Sequence, residues 1–369
     1  MKKSLLLLAA LGLAPSLALA KDPGTGVAPN GDALVSSPAF AADGVPVDMF
    51  NVVRAETAKY LAEETIVSGG NVLRHERNGI DLDNQTVVRS NFDLYYSYGV
   101  FDASAGLKIT LPDYDLYQSI EIIDENHIIL GVVYPGQTVE ITPDKLSFGE
   151  HVYVFMRTQR RTGDAKGLEE LAKRQDAPVI EQGSAKPYVS EVKYEPNSLN
   201  ALRADLLARS VKNPEIAHPE LGFVTDVWDI TFPAYQIADV LGWGGLPTSA
   251  AHYISLQPSD DAAAQGGCSS MTFAKPDLQY DRNGYWSVTV YNREGWVKTK
   301  NFKINSLTAK PNSDGSYTIH FNCGADALNN LDVVPGWNGL MRNYLPVSTD
   351  GIVAYGKALA AESPIKTVK

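Results

Sequence analysis

The chain has 369 residues, of which 32 are Lys or Arg and 43 are Asp or Glu, and its formal net charge is −11. Apolar residues make up 44% and charged residues 20%, which are globular proportions that exclude a disordered, collagenous or coiled-coil chain. The negative charge argues against nucleic acid or an anionic membrane as the default partner, because phosphate binding requires a basic surface. A chain of this length is expected to hold two ordinary hydrophobic cores.

The first twenty residues have the features of an export signal. Lys2 and Lys3 precede an apolar run, Leu5–Ala14, that is too short to span a bilayer, and Ala18–Ala20 forms a small-x-small cleavage site. The alternative, an uncleaved membrane anchor, is disfavoured because the apolar run ends early. We therefore expect cleavage near Ala20, a periplasmic or secreted mature protein, and no membrane span.

Residues 21–46 are rich in Gly, Ala, Pro and Ser without a periodic apolar pattern, which predicts a mostly flexible leader. A helix is predicted to begin after Asp48 as N-cap and to end at Ser68–Gly70. Charged residues fall largely on other faces of this helix than the apolar residues. The predicted apolar face consists of Phe50, Val53, Thr57, Tyr60 and Leu61, and the charged residues are Arg54, Glu56, Lys59 and Glu63.

Short β-branched and aromatic runs separated by Gly and Pro turns follow the helix. They are Thr86–Val88, Leu94–Phe101, Leu107–Leu111, Gln118–Ile123, Ile128–Tyr134, Thr138–Ile141 and Val152–Met156. Many short strands with such turns are typical of an antiparallel sandwich or barrel and not of βαβ units. Together with the helix they predict a first β domain over residues 47–164.

The middle of the chain, residues 165–245, is interpreted as a helical connector. Helices are predicted at Ala165–Arg174, Ser198–Ala208 and Pro233–Leu241. A Pro- and Gly-containing stretch at 176–196 separates the first two. The glycine-rich motif Gly242–Gly245 breaks the chain before strands resume.

Residues 246–369 are predicted to form a second β domain. Tyr285–Tyr291 alternates as a strand and is expected to turn back through Trp296 and Val297. The runs Leu307–Lys310 and Ser316–Phe321 flank an Asp-Gly turn and predict a long-loop hairpin. The expected fold class is therefore mostly β with a helical bridge, as two antiparallel β-sandwich or jelly-roll-like domains.

Cys268 and Cys323 are the only cysteines. Export would place them in an oxidising compartment, where one intramolecular disulfide is expected. Two free thiols and one reactive thiol are the alternatives, although neither Cys lies in a nucleophile motif. The sequence has no P-loop, no H-E-x-x-H, no G-x-S-x-G and no histidine spacing typical of metal sites, so neither a cofactor nor a metal is expected.

A first polar cluster surrounds the predicted strand at Leu94. In an extended strand Arg89, Asn91, Asp93 and Tyr95 would share one side. This pattern indicates either a ligand-binding face or an internal ion pair of Arg89 with Asp93 that holds a domain interface.

Two further residues, together with Asp93 of this cluster, are candidates for catalysis. His127 lies at a strand end, and Arg157 lies where the last strand of the first domain ends. A carboxylate, an imidazole and a guanidinium can perform general acid–base chemistry with oxyanion stabilisation. Asp93, His127 and Arg157 are therefore the candidate catalytic residues, a hypothesis that requires them to meet in one cleft.

A second cluster is aromatic, and its members are Trp286, Tyr291, Trp296, Trp337 and Tyr344, with Arg342. Exposed aromatic rings on a sheet would stack on a sugar or an aromatic ligand. Trp337 and Arg342 are the candidate ligand-binding residues of this cluster. The alternative is ordinary sandwich core, which is favoured for Trp286.

Ordered motifs carry a family resemblance. In the first half they are His75–Arg77, Ile80–Asp81, Val88–Ser97, Ile109–Asp113, Ile122–His127 and Met156–Thr158; in the second half they are Gly242–Gly245, Tyr285–Tyr291, Asn312–Ser316 and Pro335–Asn338. They resemble a pair of bacterial domains of unknown function, numbered twelve fifty-four and twelve fourteen. The resemblance implies two β-sandwich or jelly-roll-like domains and a frequent signal peptide, and no settled reaction.

Two classes of function remain open. The first is an exported, hydrolase-like protein that acts on an envelope or extracellular compound through Asp93, His127 and Arg157. The second is a non-catalytic protein that binds a glycan, a lipid or an aromatic metabolite, or a purely structural envelope protein. The expected partner is a small molecule or an envelope polymer. An enzyme should bring the three residues together around one cleft, whereas a binding protein should show a pocket without that convergence.

Overall fold

The computed structural model describes residues 37–80, 82–83, 85, 89–213 and 221–368. The predicted signal, residues 21–36 of the predicted leader and the predicted strand Thr86–Val88 lie outside the described residues. The chain divides into two compact units. Unit 1 contains the described residues before Val88 and the stretch Leu94–Pro247, and unit 2 contains Val88–Asp93 and Thr248–Lys369.

The strands of unit 1 pair in two antiparallel sheets, apart from β1. They are β1 (Phe40–Val45), β2 (Arg74–His75), β3 (Leu94–Asp102), β4 (Leu107–Leu111), β5 (Gln118–Asp124), β6 (Ile129–Val133), β7 (Gln137–Ile141), β8 (His151–Gln159) and β9 (Val179–Gln182). The helices of the unit are α1 (Val52–Ser68), α2 (Ala165–Asp176), α3 (Pro196–Lys212) and α4 (Ala234–Gly242). The strand order is β2-β3-β8-β5-β6 in the larger sheet and β7-β4-β9 in the smaller one.

The central strand β5 is buried on both faces, so any polar side chain that it carries is enclosed within unit 1. All residues of β5 are buried. Ile120 and Ile122 join the apolar core shared with the smaller sheet. Because successive side chains alternate, Glu121 and Ile123 point to the opposite face, and Ile123 packs in the core that contains the residues of α1. A carboxylate is thereby placed in the middle of a buried sheet face.

The predicted first helix is confirmed as α1, but its surroundings differ from the prediction. Phe50 is 91% exposed and precedes the helix, because the Asp48 carboxylate accepts a 2.8 Å hydrogen bond from its backbone N–H in a turn. Glu56 and Lys59 are 1% and 0% exposed. The cause is tertiary, since α1 contacts β3 and also α3 and α4. A helix that is covered on several sides buries more than the stripe that its apolar pattern predicts.

The end of the predicted flexible leader is structured. Phe40–Val45 forms β1, and Ala39 and Phe40 are buried. The backbone N–H of Tyr194 donates to the carbonyl of Ala39 at 2.9 Å, and that of Val45 donates to Lys193 at 2.7 Å. The partner segment lies far away in the sequence, so local composition gave no sign of it.

The helices α2, α3 and α4 confirm the three that were predicted between residues 165 and 245. The stretch between α2 and α3 differs from a plain connector, because it contains β9. This strand pairs antiparallel with β4, for example Ile109 opposite Ile180. The segment is therefore part of the smaller sheet of unit 1.

Unit 2 contains two four-stranded sheets. Its strands are β10 (Ala251–Leu256), β11 (Ser269–Phe273), β12 (Tyr285–Tyr291), β13 (Lys303–Asn305), β14 (Tyr317–Phe321), β15 (Asn330–Leu331), β16 (Asn338–Tyr344) and β17 (Lys366–Thr367), and its helices are α5 (Asp261–Ala264) and α6 (Thr349–Glu362). The sheet orders are β10-β16-β12-β13 and β15-β14-β11-β17, with antiparallel pairing except between β14 and β15. Both sheets contribute to one core around Trp286, Ile319 and Met341. The mostly β class with antiparallel sheets is thus confirmed.

Two predicted strand pairings of unit 2 are wrong. β12 pairs with β13 and β16, and Trp296–Val297 is not a strand. β14 pairs with β11 and β15, and Leu307–Lys310 is a turn. The side chain of Asn305 accepts a 3.0 Å hydrogen bond from the Leu307 backbone N–H. Such a local side-chain bond competes with the strand ladder.

Among the described residues, none of the helices has the length and apolar content that a bilayer crossing needs.

The predicted disulfide is confirmed in unit 2. Cys268 and Cys323 are bonded, with Cα atoms 4.6 Å apart and a sequence separation of 55. The double variant Cys268→Ser/Cys323→Ser should lose about 4 kcal/mol of unfolding free energy, because the crosslink restricts the unfolded chain. Urea denaturation of the oxidised protein and the variant measures this loss. Wild type treated with a reductant should match the variant, and an unchanged midpoint in both would contradict the expectation.

Candidate functional site

Two of the three candidate catalytic residues meet in unit 1, at the backbone of Gly244. The Gly244 N–H donates to Nε2 of His127 at 2.9 Å. The Arg157 guanidinium donates to the Gly244 carbonyl at 2.5 Å. His127 is 0% and Arg157 5% exposed. Three segments singled out in the sequence, around His127, Arg157 and Gly242–Gly245, therefore converge on one buried peptide unit.

Gly244 is suited to this position because of its backbone conformation. Its φ is +73°, a region that disfavours residues with a Cβ. A Cβ added there would also lie 2.9 Å from the ring of Phe155. The neighbouring Trp243 is fixed as well, since its Nε1 donates to the Thr57 hydroxyl at 3.1 Å and its ring stacks on Tyr60 with centroids 4.3 Å apart.

Arg157 is neutralised by the carboxylate in the middle of β5. Its guanidinium donates to Oε2 of Glu121 at 2.9 Å, and Glu121 is 0% exposed. Burial raises the pKa of the Glu121 carboxyl to about 7, because the nearby Arg157 charge only partly offsets the loss of water. Arg157 also lies over the ring of Phe155 at 4.0 Å. The guanidinium is therefore engaged by a carboxylate, a carbonyl and a ring.

His127 is held as a neutral imidazole. Its Nε2 accepts a hydrogen bond, so the ring proton of the neutral form lies on Nδ1. Nδ1 faces Oδ1 of Asp239 at 3.5 Å. Burial lowers the pKa of His127 to about 3, and burial raises the pKa of the Asp239 carboxyl well above its usual range. A neutral His beside a protonation-prone carboxyl is poorly suited to act as a general base without solvent access.

The helices that cover this sheet face enclose further charges. Nε of Arg203 lies 2.7 Å from Oε1 of Glu56, and both side chains are almost fully buried. Lys59 is 0% exposed, and its Nζ makes no hydrogen bond and lies 4.4 Å from the centre of the Tyr60 ring. Burial lowers the pKa of Lys59, although Glu63 and Glu56 oppose the shift. The sequence pattern placed Glu56 and Lys59 largely away from the apolar face of α1 and gave no sign of this cluster.

Asp93, the third candidate catalytic residue, belongs to unit 2. Its Oδ1 accepts hydrogen bonds from Asn305 at 2.9 Å and from Lys303 at 3.2 Å. The predicted ion pair with Arg89 is not formed, because Arg89 has a φ of +50° and does not continue a strand into Leu94. Arg89 is exposed, and no ion pair among the described residues includes it.

The predicted ligand-binding residues take other roles. The Tyr95 hydroxyl accepts a 3.0 Å hydrogen bond from Arg160 in unit 1. In unit 2, Trp337 is 2% exposed and donates through Nε1 to the Ala263 carbonyl at 2.9 Å, so it is a core residue without a free ring face. Arg342 is 4% exposed and Asn91 is 4% exposed. Both contact neighbours within unit 2.

A surface groove on unit 1 combines polar and apolar side chains in its lining. We call it the His75 groove; its volume is about 480 Å³. Its polar lining is drawn from Asn71, His75, Gln175, Asp176 and Gln182, and its apolar lining includes Leu73, Pro178 and Ile180. A more open depression of about 520 Å³ lies beside Tyr114 and Glu170.

His75 is oriented from beneath the groove. Its Nδ1 lies 2.8 Å from the Ser97 hydroxyl, which also accepts a 3.3 Å hydrogen bond from Gln175. Nε2 lies 3.4 Å from Oδ1 of Asp176, so the tautomer with its proton on Nε2 and with the Ser97 O–H donating to Nδ1 fits both contacts. Burial and the Arg77 charge lower the pKa of His75, while Asp176 opposes them. His75 is thus a neutral donor at the groove.

Ser97, His75 and Asp176 have the residue types of a hydrolytic triad, but Ser97 is 0% exposed beneath the imidazole. Sequence analysis missed this site. The only available signal was that His75–Arg77 and Ser97 fall in the motifs that carry the family resemblance. Nothing marked Gln175 or Asp176, which lie at the end of α2, just past the helix end predicted at Arg174. No group of three or more His, Cys, Asp or Glu side chains in the described part of the chain is arranged to hold a metal ion.

The pH dependence of stability should report on Glu121. A carboxyl whose pKa is about 7 in the folded state and about 4.3 in the unfolded state binds more protons when folded, so it lowers stability as pH rises between these values. The difference in unfolding free energy between wild type and Glu121→Gln should fall by about 3 kcal/mol from pH 4.5 to 7.5. Urea denaturation across this range measures it. Parallel pH profiles of the two proteins would contradict the assignment.

A pair of His127 variants tests the contact with Gly244. His127→Leu leaves the buried Gly244 N–H without an acceptor and should cost about 1–3 kcal/mol of unfolding free energy. His127→Gln keeps an acceptor at the reach of Nε2 and should lose less. Chemical denaturation separates the two. Equal losses would mean that packing, and not the hydrogen bond, accounts for the role of His127.

One family model matches part of the second half of the chain. Residues 249–348 match the model of the family described as "Protein of unknown function (DUF1214)". A search of curated proteins gave no match.

Two solved structures match over most of this chain. The VPA0106 protein from Vibrio parahaemolyticus is 16% identical, with a TM-score of 0.62 over 87% of this chain and 98% of that chain. A putative uncharacterized protein from Burkholderia cenocepacia is 14% identical, with a TM-score of 0.45 over 92% of this chain and 94% of that chain. The chain thus carries a DUF1214 region in its second half and shares a fold with the Vibrio protein.

Proposed function

We propose that this chain is an exported binding protein that holds a short glycan, or a similarly hydroxyl-rich small molecule of the envelope, in the His75 groove. The observation that carries the proposal is the neutral His75, fixed by Ser97 at one nitrogen and presented with Asp176 at the other. The groove volume of about 480 Å³ lies within the range of small-molecule sites. The signal-like sequence of residues 1–20 supports export to the periplasm or beyond.

The groove has both kinds of contact that a sugar requires. The Asp176 carboxylate is 60% exposed and can accept from hydroxyls. Gln182 lines the groove, and its buried Oε1 has no hydrogen-bond partner, so this side chain carries an unused acceptor beside the ligand. Pro178 and Ile180 provide an apolar wall for the carbon face of a ring. A lipid or a flat aromatic metabolite would leave these polar groups unpaired.

A hydrolase-like activity on an envelope or extracellular compound is the second candidate. It is favoured because the Ser97 hydroxyl contacts the imidazole of His75, which in turn contacts Asp176 beside the same groove. The enclosed hydroxyl of Ser97 would first have to become accessible. The buried positions of His127 and Arg157 support a structural role for these two residues.

We also propose that unit 1 is related to a second domain family and that both units are jelly-roll-like. The order of motifs from His75–Arg77 to Met156–Thr158 supports a relation of unit 1 to the domain numbered twelve fifty-four. The paired sheets within each unit support jelly-roll-like domains.

Ligand-induced stabilisation tests the binding function. A panel of mono- to tetrasaccharides is screened by thermal shift on the mature protein, because a ligand at 100 times its Kd stabilises by about 2.7 kcal/mol. We expect stabilisation by at least one sugar, and its loss in His75→Ala and Gln182→Leu.

Two controls sharpen the test. Glu170→Gln, in the more open depression, should keep the shift. A panel without any shift, or a shift that survives His75→Ala, would contradict the proposal. If wild type releases product from an ester or a glycoside and Ser97→Ala does not, the hydrolase function is established instead.

A further inference from the structure

Unit 2 encloses a short segment that is remote from the rest of the unit in sequence. We call residues 89–93 the inserted segment; the remainder of unit 2 begins at Thr248. The segment is not a strand of either sheet. Its contacts within unit 2 therefore come mainly from side chains and not from a ladder.

Side chains of unit 2 bind the backbone of the inserted segment. Three side chains donate to its carbonyls: Arg342 to Arg89 at 2.6 Å, Tyr291 to Ser90 at 2.8 Å and Lys303 to Phe92 at 2.5 Å. The Arg89 N–H adds a 2.8 Å bond to the Gly295 carbonyl. Three of five carbonyls in the segment thus accept a hydrogen bond from a side chain on β12, β13 or β16.

The side chains of the segment are recognised individually. Nδ2 of Asn91 donates to the Tyr344 hydroxyl at 2.5 Å. Phe92 packs edge-on against Phe302 with centroids 4.9 Å apart. The Asp93 side chain is 1% exposed, and Lys303 contacts its carboxylate at 3.2 Å. An amide, an aromatic ring and a carboxylate therefore each have a dedicated partner.

These contacts are those of a peptide in a binding site. A sheet ladder binds any sequence, whereas pockets for alternate side chains give specificity. We propose that unit 2 carries a recognition site for bent peptides of the pattern Asn-aromatic-acidic, which the inserted segment occupies as a tethered ligand, its bend held by the Asp93 N–H donating to Oδ1 of Asn91 at 2.8 Å. Arg342 and Lys303 supply the positive charge that favours an acidic peptide.

A tethered ligand competes strongly with a free one. Its effective concentration is on the order of millimolar for a short linker. Wild type should therefore bind a free peptide weakly, and weakening the inserted segment should open the site.

The test uses the full chain and a labelled peptide of residues 88–95, Val-Arg-Ser-Asn-Phe-Asp-Leu-Tyr. Fluorescence anisotropy measures its binding to wild type, Asn91→Ala and Phe92→Ala. We expect at least tenfold tighter binding to both variants than to wild type, as in other cases where an intramolecular competitor is removed. The peptide should also raise the unfolding temperature of the variants. Peptides with Ala in place of Phe or Asn in place of Asp should bind more weakly.

Every outcome decides the proposal. Folded variants that bind the peptide no better than wild type would overturn it, and so would equal binding of a scrambled peptide. If Phe92→Ala does not fold alone, the peptide added during refolding should restore its folding, and failure to do so would also count against the site. Asn91→Ala and Phe92→Ala should not change the thermal shift that a sugar in the His75 groove produces. Either proposal can therefore fail without the other.

Discussion

The buried peptide unit of Gly244 is the constraint on which the interior of unit 1 depends. His127 accepts from its N–H and Arg157 donates to its carbonyl, so two long-range side chains replace the backbone partners that a strand or helix would supply. An unpaired buried backbone group is costly, and each of these contacts is therefore obligatory once the glycine motif is enclosed. Arg157 in turn requires Glu121, since an unpaired buried guanidinium would be far more costly. The Gly242–Gly245 loop thus requires a series of buried polar contacts, with His127 and Arg157 at Gly244 and with Glu121 at Arg157.

This arrangement accounts for the occurrence of histidine, arginine and acid together as a buried polar network. The same residue types serve catalysis when a substrate can reach them, but here they are closed to solvent. Buried ion pairs contribute little net stability compared with apolar packing, whereas removing one partner is strongly destabilising. The polar interior therefore favours one arrangement of α1, α3 and α4 on the sheet. At the surface groove, the side chain of Asp176 is 60% exposed and that of His75 is 15% exposed.

Much of the fold follows from local sequence patterns, and the exceptions have a common cause. Runs such as Leu107–Leu111 and Tyr285–Tyr291 alternate with period two, and the structure has strands there with the same limits. β1 and β9 depend on partners far away in the sequence, so composition alone indicated loops. Candidate residues were chosen by type, which could show neither that His127 and Arg157 meet at Gly244 nor that both are buried. Gln175 was missed because its role depends on a helix end meeting β3.

The protonation state of His127 tests the central claim most directly. Long-range proton–nitrogen correlation spectra of the uniformly ¹⁵N-labelled protein, recorded from pH 4.5 to 8, report the state of each imidazole nitrogen. The account predicts a neutral ring throughout, with the proton on Nδ1 and a bare Nε2 that accepts from Gly244, because burial lowers the pKa of His127 to about 3. A ring that titrates near the ordinary histidine pKa of about 6.5, or that carries its proton on Nε2, would contradict it.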